Sequence, residues 1–136
     1  MAGPFDNPLG LSALALPLRE QRLKVLSSNV ANADTPGYQA QDFDFQSALS
    51  GAEAARERAG RGAGAARSGV SMAAGEAPDY RRYVTTRPAL QPSLDGNTVN
   101  AEAEHAAFGR AVLEYRASLT FFESRVRGLM TAITGQ

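Results

Sequence analysis

SSNVANADTPGYQAQDFDF, residues 27–45, carries an apolar helical pattern into two asparagines, breaks it at DTPGY and then alternates Asp with Phe. Thr35-Pro36-Gly37-Tyr38 puts Pro at the second and Gly at the third position of a four-residue turn, the chemistry of type II. The residue before a proline is pushed out of helical geometry, so the upstream helix stops by Thr35. Asn29 and Asn32 stand three apart on one helix face. Either their amides cap the helix end, where Asn tolerates left-handed backbone, or they bond the following corner or a neighbouring subunit. Beyond the turn, residues 38–49 read as extended, with Phe43 and Phe45 on one face and Asp42 and Asp44 on the other. Asp34, Asp42 and Asp44 do not have the ligand spacing of a calcium loop, and a solvated face explains them better. Asn29, Asn32, Asp34, Thr35, Pro36, Gly37, Tyr38, Phe43 and Phe45 together read as a docking corner.

Upstream, Leu9, Leu16, Leu23, Leu26, Val30 and Ala33 follow a heptad that Ser12 and Arg19 interrupt. Pro17 lacks an amide hydrogen and clashes with the preceding turn, so the helix either starts near it or bends there. Downstream, Phe108, Val112, Tyr115, Leu119, Phe122, Val126, Leu129 and Ile133 keep 4-3 spacing without a miss, which places them on one narrow helical stripe. Carried back, the stripe reaches His105 and Ala101. Glu102 and Glu104 suit the first turn of this helix, Arg125 and Arg127 its other end, and Asn97 or Asn100 would cap it. The helix is expected over about residues 98–134. The stripe is expected to pack on Leu16, Leu23, Leu26 and Val30 as a coiled-coil-like pair.

Between the helices, residues 50–77 contain only Val70 and Met72 as sizeable apolar groups. Too little is available for burial to offset chain ordering, so this Ala/Gly/Arg-rich stretch reads as a flexible linker. Residues 79–92, rich in Tyr, Val and Thr, read as a short strand or extended arm. The expected fold is mainly α: two long terminal helices with an extended or small β middle. Its divisions are an N-terminal helix region at 1–34, a turn and corner at 35–49, a linker at 50–78, an arm at 79–97 and a C-terminal helix region at 98–136.

Composition excludes several chemistries. The chain has 136 residues, 14 basic and 14 acidic groups and no cysteine. Zero formal charge gives no electrostatic footprint for nucleic acid. Thiol catalysis, disulfides and thiolate metal sites are impossible, and His105, the single histidine, cannot build a His-based metal site alone. No Gly-rich phosphate loop follows a strand. No catalytic site, cofactor or metal is expected, and no substrate. The N-terminus lacks the basic and apolar regions of a cleaved signal peptide. Gly10, Ser12 and Pro17 interrupt its apolar density, which excludes a membrane span. One stripe of side chains is modest return for ordering so long a helix, so packing between molecules is the natural completion.

LSSNVANADTPGY resembles the N-terminal motif of bacterial flagellar axial proteins, the rod, hook and hook-associated subunits. ANADTPGYQAQDFDF, PSLDGNTVNAEAE at 92–104 and YRASLTFFESRVRGLMTAI near the C-terminus are similar to the proximal rod proteins of the basal body. The resemblance spans about residues 9–49 and 85–134. It implies a structural subunit whose terminal helices pack into a helical tube crossing the periplasm. It further implies contact with copies of itself, other rod subunits, and the inner-membrane ring with its adaptor protein. Export through the flagellar type III gate, without a cleaved signal, is implied as well. Phe5 and Leu9, at F-x-x-x-L spacing, match the short apolar pair of early export substrates. Another rod subunit of the same family is the near alternative. A soluble helical adaptor or export chaperone is the distant one.

Overall fold

The computed structural model describes residues 9–62, 79–89 and 93–135. Helix α1 spans Gly10–Ala31, strand β1 Gln41–Phe43, helix α2 Phe45–Gly62, strand β2 Val84–Thr86 and helix α3 Ala101–Thr134, with a single 3-10 turn at Tyr80–Tyr83. The two strands pair antiparallel, Asp42 opposite Thr85. Phe5, Val70 and Met72 lie outside the described residues, as do positions 63–78 of the expected linker.

α1 and α3 lie antiparallel. Asn29 meets Glu104, Arg19 and Arg22 meet Glu114, and Leu11, Ser12 and Ala15 share a groove with Ser118, Phe121 and Arg125. Pro17 sits inside α1, which begins at Gly10 and does not wait for the proline. Arg19, an interruption of the heptad, has a use: it pairs with Glu114 at 2.7 Å and lies 5.0 Å from the centre of the Phe45 ring. Such half-exposed ion pairs add little stability but fix register.

On α3, Phe108, Val112, Tyr115, Leu119, Phe122, Val126 and Leu129 form a narrow half-buried stripe. Ile133, expected in the same seam, is 80% exposed. The reason is length: Arg125 already lies beside the first turn of α1, so the last turns of α3 run past it. His105 and Ala101 are exposed as well. An α-helix turns slightly less per residue than a strict heptad requires, and over several turns the seam drifts from those positions onto Glu104 and Ala111, both buried.

α1 has a second face. Leu18, 1% exposed, packs with Phe43 and Ala48, and Val25, Phe45, Leu49, Tyr80, Tyr83 and Val84 surround that cluster. This small core seats β1, α2 and the arm on the side of α1 away from the heptad reading. Leu26 is buried, and Leu16, Leu23 and Val30 are half-buried.

The middle of the chain departs from its expected form. The extended reading of 38–49 ends at Asp44, and the first part of the expected linker is helical through Gly62. Asp44 caps α2, its carboxylate accepting from the Ser47 backbone N–H at 3.0 Å and from the Ser47 hydroxyl at 2.6 Å. The alanines, glutamates and arginines that follow are strong helix formers, so a cap and two anchored turns suffice to propagate the helix.

A hydrogen-bonded corner as the candidate functional site

The turn behaves as its residues require. Gly37 has φ +72°, the left-handed value its place in a type II turn demands, and the Tyr38 N–H donates to Thr35 O at 3.2 Å. A second turn lies against it. Gly96 has φ +76°, and a Cβ built there would stand 3.7 Å from the Gly37 Cα. The two segments zip together: Gly37 N–H donates to Asp95 O at 2.9 Å and Thr98 N–H to Tyr38 O at 3.0 Å. Ala40 N–H donates to the Thr98 hydroxyl at 2.6 Å.

Asn97 does not cap α3; Asn100 does, accepting from Ala103 N–H at 3.1 Å. Asn97 instead caps the end of α1. Its amide nitrogen donates toward Asn32 O at 3.0 Å, Ala33 O at 2.8 Å and Thr35 O at 2.8 Å. Those carbonyls belong to the C-cap residue of α1 and to the turn that follows it. Its own carbonyl oxygen accepts from Val99 N–H at 2.8 Å. One side chain from the C-terminal part of the sequence thus completes the N-terminal helix.

Asn29, fully buried, uses its whole hydrogen-bonding capacity. Its Nδ2 donates to Gln41 O at 2.7 Å and to Glu104 Oε2 at 3.0 Å. Its Oδ1 accepts from Gln41 N–H at 3.0 Å and from the Tyr38 hydroxyl at 3.2 Å, which lies 3.1 Å from the Ser28 hydroxyl. The amide grips Gln41 by both backbone groups, as a neighbouring strand would. Of the two readings open for Asn29, this is the bond to the following corner. Asn32 turns back and donates to Ser28 O at 2.8 Å.

Glu104 is buried and both its oxygens are occupied, Oε1 by Arg87 Nη1 at 2.5 Å and Oε2 by Asn29. Arg87 also reaches Asp42 at 3.6 Å, and its backbone N–H donates to Ala40 O at 2.7 Å. Reading the sequence alone missed Arg87 and reduced Glu104 to a dipole complement. The available signal was a carboxylate one position off the apolar stripe, on the helix side that turns inward.

Asp34, Thr35, Pro36 and Gly37 remain exposed at the tip, and Phe43 and Phe45 belong to the core cluster behind it. Hydrogen bonds from the Ser47 hydroxyl and N–H hold the Asp44 carboxyl below its ordinary range, and those from Ser93 and Asn97 do the same for Asp95. Among the described residues, no group of three or more histidine or acidic side chains is placed to hold a metal ion, and no helix is long and apolar enough to cross a membrane.

The fold and this corner define a class: a helix-hairpin subunit whose specified chemistry is packing and hydrogen bonding. Residues 10–39, covering α1 and the first turn, match the family model of the flagella basal body rod protein. The chain is 41% identical to the flagellar basal body rod protein FlgB of Aeromonas hydrophila, covering 100% of this chain and 99% of that one. It is 44% identical to FlgB of Cereibacter sphaeroides over 97% and 98%, and 38% identical to FlgB of Salmonella typhimurium over 99% of each. The chain belongs to the FlgB family of flagellar basal body rod proteins.

Proposed function

We propose that the chain is a structural subunit of the flagellar rod, at its cell-proximal end, and that it acts by assembly and not by turnover. Its full-length likeness to rod proteins of the FlgB family carries this reading. The one-sided stripe of α3 supports it. Side chains from Phe108 to Leu129 along the stripe are only half-buried, and Leu11, Leu113, Phe121, Met130 and Ile133 stand more than half exposed. Apolar surface of this extent is what a subunit buries against neighbours. Copies of the chain, other rod subunits, and the inner-membrane ring with its adaptor are the partners this role calls for. The position is the periplasmic rod, reached through the flagellar export gate without a cleaved signal. The exposed tip, Asp34 to Gly37, is the part of the corner left to meet a neighbour.

The test is quantitative mass spectrometry of purified basal bodies with site-directed crosslinking from Phe121 and Ile133. Crosslinks to axial subunits are expected. Recovery only as a stoichiometric cytoplasmic complex would replace the rod reading with that of an export adaptor.

A further inference from the structure

We propose that Glu104 is a charge lock that sets the angle of the hairpin unit, β1 through β2 with α2, on the α1–α3 pair. The hairpin unit is held at two places. One is apolar, the contact of Phe43 and Ala48 with Leu18 midway along α1. It is non-directional and permits pivoting. The other is polar and lies at the corner, where Arg87 from the end of β2 and Asn29, which grips Gln41 at the start of β1, converge on one carboxylate. Glu104 thereby bonds both to the arm and to α1 from within α3. It is fully buried, so its charge has no water to fall back on and must keep both partners. Directional bonds to a buried charge specify one geometry where apolar contact admits many. With the carboxylate made neutral, Arg87 loses the counter-charge that draws it inward. The hairpin then pivots about Leu18 and Phe43 while both long helices stay formed. This inference does not depend on rod membership.

Residue-resolved amide exchange on the whole purified chain tests it. Glu104→Gln is expected to speed exchange at Ala40, Gln41 and Arg87 about tenfold, a local opening easier by about 1.4 kcal/mol, with amides in the middle of α1 and α3 unchanged. Arg87→Met, a half-exposed position, is expected to give the same local signature and serves if Glu104→Gln does not fold. Unchanged exchange at the three corner amides overturns the lock. So does uniform acceleration across α1 and α3, the signature of a residue that only adds stability.

Discussion

At the scale of residues, the corner is built from amides that donate and accept at once, and this makes it sensitive to single atoms. Asn97→Asp exchanges the amide donor for an acceptor facing three carbonyl oxygens, so the end of α1 loses its cap and gains a repulsion. A loss of about 2–3 kcal/mol is expected in urea unfolding, and an unchanged midpoint would remove Asn97 from this role. Acid should act locally. Asp44 and Asp95 have carboxyl groups held below the ordinary 3.8 by their hydrogen bonds. A depressed folded value means that each cap contributes above the unfolded pKa and fades as pH falls through the folded one. NMR of the first turn of α2 and of the Ser93–Asn97 turn should therefore show fraying below about pH 4, and protection persisting through that range would contradict it.

At the scale of elements, the arm and α2 fit because Gly51 has no side chain. A Cβ built there would overlap the Tyr83 hydroxyl oxygen, and the Tyr83 ring is tied edge-on to Phe43 with centroids 6.5 Å apart. Replacing a helical glycine by alanine ordinarily gains about 1 kcal/mol. Gly51→Ala is expected to forfeit that gain in the native chain and recover part of it when Tyr83→Phe removes the hydroxyl. Thermal melts of the single and double variants measure the difference, and a full gain in the single variant would show that Tyr83 moves freely. Pro17 marks the opposite situation. α1 carries it in mid-helix, and the packing of Leu18 immediately after it holds the helix together across the missing hydrogen bond.

For the molecule as a whole, the same helix pair has to hold the monomer and present a surface for assembly. Leu119 and Phe122 are half-buried on α3. Leu119→Asp or Phe122→Asp is expected to abolish incorporation into basal bodies while secretion persists, read by immunoblots of the two fractions. Wild-type motility with either change would sink the seam assignment. Deleting residues 2–10, which takes Phe5 and Leu9, is expected to block secretion of an otherwise stable chain; undiminished export would deny both residues a part in it.

Local chemistry written in the sequence determined α3 and its cap, the end of α1, the glycine-dependent turns and the mainly helical class, because spacing, capping and turn geometry act within a few residues. Tertiary structure alone decided the rest. Leu18 lies off the heptad and gains its place in the core only when β1 and α2 fold against it. The helix from Phe45 to Gly62 carries little apolar surface of its own and is anchored by packing of its first turns on α1. Of Asn97 and Asn100, the two caps the sequence offers for α3, Asn97 serves instead the end of the helix more than sixty residues upstream. Glu104 looked like any acidic first-turn residue, since the groups that make its burial tolerable, Arg87 and Asn29, are brought to it only by the fold. Burial of a charge is a property of where distant partners meet, and no local pattern encodes that meeting.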